Sequence, residues 1–247
     1  MHSLFGLKHG ILLAICLVAI VLGAFATRKW SLEQLVKRLF AIGIVSEFIK
    51  VFYYIITNES THGGILPKTD LPFHLCSIQI LFLVYLVYGK SEKFKELLLS
   101  FMAPSCLFGG IAACLIATNT ALNGAWILSL QYFGYHVALV IFALALLRGN
   151  VLKLTAKHYV NCLKFLAVLM LLAIYINSIL YDGVSNINFM YVASPPQSGL
   201  PYLNEDHGWL VYIIHYAFLV FFCVTACYAR PIFQALRRRF SKIPTIK

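Results

Sequence analysis

A thiol and an imidazole two residues apart stand out in the segment Leu71-Pro72-Phe73-His74-Leu75-Cys76. A cysteine beside a histidine base is a nucleophile for acyl transfer, because the base takes the thiol proton and returns it to the leaving group. His74 is not that base if both lie on one helix, since residues two apart point about 200° away from each other. The base for Cys76 has to come from another segment. His136, with Tyr132 one turn earlier and Gln131 close by, is the first candidate, and His215 is the second. Glu47 and Lys50 form another polar constellation, three residues apart, with Tyr54 a further turn along. Opposite charges at that spacing neutralise each other in lipid. They hold a lipid head group, orient the histidine, or form a structural ion pair facing the bundle interior.

The elements that must position these groups are apolar. Hydrophobic residues make up 61% of the 247 and charged residues 12%, which excludes a soluble domain of ordinary make-up. Runs able to cross a hydrocarbon layer of about 30 Å fall at 10–26, 38–57, 72–89, 94–117, 124–148, 160–181 and 208–228. The expected fold is all-α: a polytopic membrane helix bundle of about seven transmembrane helices, one domain over residues 1–247, multi-pass in the cell membrane. Ala24-Phe25-Ala26 resembles a signal-peptide cleavage site, but Arg28 and Lys29 follow it directly, so the first span is read as a retained helix.

Basic residues set the expected orientation. Arg28, Lys29, Lys37 and Arg38, then Lys90, Lys93 and Lys95, then Arg148, Lys153, Lys157 and Lys164 occupy alternate connections, and the tail adds Arg230, Arg237, Arg238, Arg239, Lys242 and Lys247. The opposite loops hold Lys8 and Lys68 with Glu59, Asp70, Asp182, Glu205 and Asp206. The positive-inside rule places the N-terminus outside and the C-terminus in the cytoplasm. The net charge of +11 is spread over every loop of one side. It reads as a topology signal and an attraction to anionic head groups, so the expected partners are membrane phospholipids and not nucleic acid. The sequence fixes no oligomeric state.

Helical rise compares the depths of the intramembrane polar groups. Counted from the nearest basic residue of each span, Lys50 lies about 18 Å up, Cys76 about 21 Å, His136 about 18 Å, Asn177 about 20 Å and His215 about 22 Å. Five spans thus bring a polar or reactive group to one level, in the outer half of the bilayer. Counted from the opposite ends, Cys76 is about 6 Å below Pro72 and His136 about 15 Å below Trp126. The two counts agree if Pro72 starts below the membrane surface. Thr69, Asp70 and Pro72 are helix-start signals, placing Cys76 just past a first turn whose positive dipole end favours a thiolate.

The seven cysteines fall within or at the edge of spans, so no disulfide framework is implied. Cys223 and Cys227 share a helix face without a nearby His or carboxylate, and His62, His74, His136, His207 and His215 lack ligand spacing, so no metal site is assigned. Pro104 and Gly109-Gly110 suggest a kinked or closely packed fourth span. Residues 58–71, with His62-Gly63-Gly64 and Pro67, and residues 182–207 are long outer connections, read equally as lids or as plain loops.

Three short motifs in order, Leu71-Pro72-Phe73-His74-Leu75-Cys76, Phe133-Gly134-Tyr135-His136 and Asn188-Phe189-Met190-Tyr191 to Pro195-Pro196, resemble the YwaF-like bacterial integral membrane proteins. That family is related to an animal transmembrane acyltransferase of ether phosphatidylethanolamine. The resemblance implies Cys76 as nucleophile, His136 as base, and the Asn188 to Pro196 segment as a lining or cover. Relatives often carry Asn-Tyr-Met where this chain has Asn188-Phe189-Met190, so a hydroxyl is missing here. The expected function is a membrane-embedded phospholipid acyltransferase, transacylase or acyl hydrolase working from the outer leaflet side, without cofactor. His74, Gln79, Glu47, Lys50, Gln131, Tyr132, Asn177, Asn188 and His215 are expected to support or bind substrate; the sequence does not identify the oxyanion partner, although Gln79, Gln131 and Asn177 could donate. The alternative is a non-enzymatic lipid- or peptide-binding receptor, transporter or immunity protein using the same polar layer.

Overall fold

The computed structural model describes residues 4–57, 66–149, 151–196, 202–204 and 206–240, with side chains to 238. Glu59, His62, Gly63, Gly64, Glu205, Lys242 and Lys247, and the side chain of Arg239, lie outside the described residues. Among the described residues there are eight α-helices and no strand: α1 Leu7–Ala26, α2 Leu32–Thr57, α3 Leu75–Tyr88, α4 Glu92–Leu115, α5 Asn119–Asn123, α6 Trp126–Leu147, α7 Ala156–Leu180 and α8 Trp209–Phe240. Six of them are long and apolar enough to span a membrane, and α3 is a shorter apolar helix.

Helix ends depart from the apolar runs for local reasons. Helix α2 starts at Leu32, six residues before its run, because Ser31 and Gln34 exchange backbone and side-chain hydrogen bonds at 3.0 and 3.2 Å, a capping box. Helix α8 continues past the run into its basic end, through Pro231. Helix α5 is an addition, one turn capped by Thr118 between the spans α4 and α6.

Helices α4 and α6 form the centre, each with a buried face over most of its length, and α1, α2, α3, α7 and α8 pack around them. Val18, Phe48, Phe52, Leu171, Phe218 and Phe222 point outward, the apolar surface a lipid-facing helix requires. Gly110 sets the α4 to α6 approach: a Cβ there would meet Val140 Cγ2 at 2.7 Å and the His136 carbonyl oxygen at 3.0 Å. Pro104 lies inside α4 and has no N–H to give the Ser100 carbonyl. The Tyr228 hydroxyl of α8 donates to that carbonyl at 2.7 Å instead, so the break in one helix becomes a tie to another.

The basic connections gather at one end. Arg148 at the end of α6 donates to the Ala24 carbonyl and to Thr27 Oγ1, and His158 at the start of α7 meets Glu96 at the start of α4. At the far end Lys8 donates to the Leu122 carbonyl, and Lys68 pairs with Asp182 at 2.8 Å. Helix α3 does not begin at that far end. Its first residue, Leu75, lies against Gly109 of α4, six residues and about 9 Å short of the end of α4.

Candidate functional site

Cys76 is the second residue of α3, and His74 is the residue at its N-cap. The cap position is extended and contributes no side-chain hydrogen bond to the helix. Among the described residues, the backbone N–H groups of Leu75, Cys76 and Ser77 have no acceptor, and Ile78 N–H is the first to find one, the His74 carbonyl at 2.9 Å. Tyr135 of α6 donates to the Cys76 carbonyl at 3.0 Å, which pins this turn to the helix carrying His136.

His136 is 3% exposed. Its Nδ1 lies 2.7 Å from the Tyr132 carbonyl, and a carbonyl only accepts, so in the neutral ring Nδ1 carries the hydrogen and Nε2 the lone pair. Nε2 is buried without an aligned hydrogen bond among the described residues, and the group it interacts with is the Cys76 thiol. The Cys76 sulfur lies 3.9 Å from Ser77 Oγ. A thiol in range of an imidazole whose tautomer a backbone carbonyl fixes can exchange its proton with that ring. Tyr132 stacks its ring 4.4 Å from that of His136 and spends its hydroxyl on the Ala113 carbonyl at 3.0 Å.

The other expected residues divide. Lys50 bonds Glu47 at 2.8 Å and the Asp70 carbonyl at 3.0 Å, so this neutral pair ties the approach to α3, with Lys50 within electrostatic range of Cys76. Burial pushes the Asp70 carboxyl above the usual carboxylate range in spite of Lys50 beside it. Gln79 is fully buried and gives its amide hydrogens to the Leu75 carbonyl at 3.1 Å and Ser105 Oγ at 3.0 Å. Gln131 donates to Ser46 Oγ at 2.7 Å. Asn177 pairs with the backbone of Phe189 in both directions, at 3.3 and 2.9 Å. His74 packs its ring on Phe189 at 5.0 Å and Tyr191 at 5.6 Å.

Asn188 folds the segment that follows α7. Its amide holds Ser194 at 2.8 Å and its oxygen accepts from the N–H groups of Ala193 and Ser194. Met190 and Tyr191 adopt left-handed backbone, φ 56° and 54°, uncommon for such side chains. Helix α8 holds the strained turn in place: Tyr216 donates to the Met190 carbonyl at 2.9 Å, Tyr212 to that of Tyr191 at 2.5 Å, and Trp209 to that of Val192 at 3.0 Å. Phe189, at the position of the missing hydroxyl, is fully buried against Phe73 and His74.

His215 is not with this group. It is exposed on α8 and its Nδ1 donates to the Tyr202 carbonyl at 3.0 Å. No three His, Cys, Asp or Glu residues gather among the described residues. Tyr191 is the residue that the reading of side-chain types passed over. Its phenol makes no hydrogen bond among the described residues, lies within electrostatic range of Cys76, and is pushed up to about 12 by burial and by that neighbour, so it stays a donor. Its signal in the sequence was its place at the end of Asn188-Phe189-Met190-Tyr191.

The sequence model of the TMEM164 family matches residues 4–228. No curated protein and no solved structure matches the chain.

Proposed function

Since this chain belongs to the TMEM164 family, a family of transmembrane proteins, and holds a thiol against an imidazole inside its bundle, we propose that it is a phospholipid acyltransferase or transacylase. The observation that carries the reading is His136 Nε2: buried, without a hydrogen bond among the described residues, holding a lone pair, and within electrostatic range of the Cys76 thiol. The similarity of the three short motifs to the YwaF-like proteins, and through them to the animal acyltransferase of ether phosphatidylethanolamine, supports the same chemistry.

In this reading an ester from the outer leaflet side presents its carbonyl to Cys76. His136 Nε2 takes the thiol proton as the sulfur attacks. The tetrahedral intermediate collapses to a thioester, and the proton passes from His136 to the departing lysophospholipid oxygen. The hydroxyl of a second lysophospholipid then attacks the thioester, His136 takes its proton, and the thiol is restored as the acyl chain moves to the new glycerol. With water in place of that hydroxyl the same steps give acyl hydrolysis.

The test is acyl exchange in vesicles holding one phospholipid with a labelled acyl chain and one unlabelled lysophospholipid. The protein is expected to move the label, and Cys76→Ala and His136→Ala to reduce the rate about 1,000-fold. Full exchange by both variants, or an unchanged lipid profile in cells that lack the protein, overturns the reading.

A further inference from the structure

Acyl transfer through Cys76 places a negative charge on the carbonyl oxygen, and the site must answer it. The side-chain amides expected for that task are occupied: Gln79 by Leu75 and Ser105, Gln131 by Ser46, Asn177 by Phe189. The phenols of Tyr132 and Tyr135 are occupied by the carbonyls of Ala113 and Cys76. Two sets of donors remain beside the sulfur.

The first set is backbone. Helix α3 has 14 residues and no side-chain cap, and the N–H groups of Cys76 and Ser77 have no acceptor among the described residues. Every helix starts with such orphans, but this helix starts against Gly109, about 9 Å short of the end of α4, with Leu75, Cys76 and Ser77 half-buried. A second observation concerns the same place: His136 is 3% exposed, its Nε2 is buried without a hydrogen bond among the described residues, and Tyr135 of the same helix donates to the Cys76 carbonyl. The second set is the Tyr191 hydroxyl. Its ring lies 5.6 Å from that of His74, the residue preceding the first turn of α3, and its backbone is held in the left-handed region by Tyr212.

Resting on the Cys76–His136 reading, we propose that the N–H groups of Cys76 and Ser77 and the hydroxyl of Tyr191 form the oxyanion hole, with Tyr191 a catalytic residue. As the sulfur–carbon bond forms, the carbonyl π pair moves onto oxygen, and that oxygen accepts from these three donors at the positive end of the α3 dipole. When the intermediate collapses the pair returns, the ester carbon–oxygen bond breaks, and the leaving oxygen takes the proton from His136. The hole serves both half-reactions unchanged, since acylation and deacylation put the charge on the same oxygen.

Three probes on the full-length protein in lipid nanodiscs separate this hole from the nucleophile that it serves. They are an acyl p-nitrophenyl ester, its thionoester with sulfur for the carbonyl oxygen, and an iodoacetamide of the same chain length, which alkylates a thiol without forming an oxyanion. The ester is expected to acylate Cys76 about 100-fold faster than the thionoester. Tyr191→Phe is expected to slow acylation about 100-fold, shrink that preference, and leave alkylation unchanged. His136→Ala slows both reactions. If neither ester acylates the unmodified protein, the Cys–His reading itself falls. Acylation without a preference for oxygen, or undiminished in Tyr191→Phe, overturns the hole and leaves the Cys–His pair standing. Equal slowing of acylation and alkylation in Tyr191→Phe makes Tyr191 a prop for the thiol and overturns its assignment as a donor.

Discussion

Helices α7 and α3 begin in opposite ways. At the start of α7, Thr155 Oγ1 accepts from the His158 N–H, and His158 Nδ1 accepts from the Thr155 N–H at 3.1 Å. The His158 Nε2 hydrogen then goes to Glu96 at 2.5 Å. Thr155 Oγ1 and both ring nitrogens of His158 have partners. At the start of α3, first-turn amides lack acceptors among the described residues, and the nearby His136 keeps an idle Nε2. His9 follows the α7 pattern, accepting from Phe5 N–H at 3.0 Å and donating to the Cys114 carbonyl at 2.9 Å. Among the described residues, the buried imidazoles His9 and His158 thus fasten helices, whereas His136 Nε2 lacks a hydrogen bond and, under the proposed function, is the one that meets a reactant.

Exchanging the two histidines for alanine gives the widest separation. His136→Ala is expected to lower acyl exchange about 1,000-fold with little loss of stability. His158→Ala is expected to keep exchange near its original rate and lower the unfolding free energy by about 1 kcal/mol. Parallel loss of activity and stability in either variant breaks the contrast. Next comes Gly110→Leu, which drives carbons into Val140 and the His136 carbonyl. It is expected to cost about 1–3 kcal/mol and to reduce exchange as well, because it shifts the base, whereas an unaltered rate would show that His136 tolerates displacement. Thr155→Ala removes half of the α7 cap and is expected to cost about 1 kcal/mol without touching exchange, read by thermal unfolding in detergent.

The smallest effect is on the Asp182 turn, far from both helix starts. Lys68 first, then the N–H groups of Ser185 and Val184, hold the Asp182 carboxyl well below the usual carboxylate range. A carboxyl lowered on folding stabilises above its unfolded value of about 3.9 and loses that contribution as the pH falls below it. Protection of the amides across 182–188 relative to their intrinsic exchange rates is expected to be high at pH 5 and to fall below about pH 4, and Asp182→Asn to remove the dependence. A pH-independent profile in the parent protein counts against the tether.

Apolar run length made the bundle legible, because hydrocarbon thickness dictates it and side-chain chemistry reports it directly. Helix ends were less legible: Ser31 and Gln34 extend α2 by a local cap, and five residues suffice for α5. Depth counting brought Cys76 and His136 to one level, but depth is one coordinate and rotation about the helix axis is another. His215 counts to a similar depth, yet it lies on an exposed face and bonds the Tyr202 carbonyl. Nor did residue type reveal that Gln79, Gln131 and Asn177 are committed, since an amide takes whichever partner packing brings to it. The left-handed turn at Met190 and Tyr191 depends on hydroxyls from α8, a long-range arrangement with no local pattern.

The brevity of α3 has a bearing beyond the bundle. Fourteen residues reach about 21 Å, roughly 9 Å less than the hydrocarbon they face. A bilayer meets such a mismatch by thinning or by letting polar groups dip, at a cost that grows with each ångström. Under the proposed function, membrane thickness thereby enters as a variable beside lipid chemistry: a thinner bilayer brings the ester region of a lipid nearer the level of Cys76 than a thicker one does.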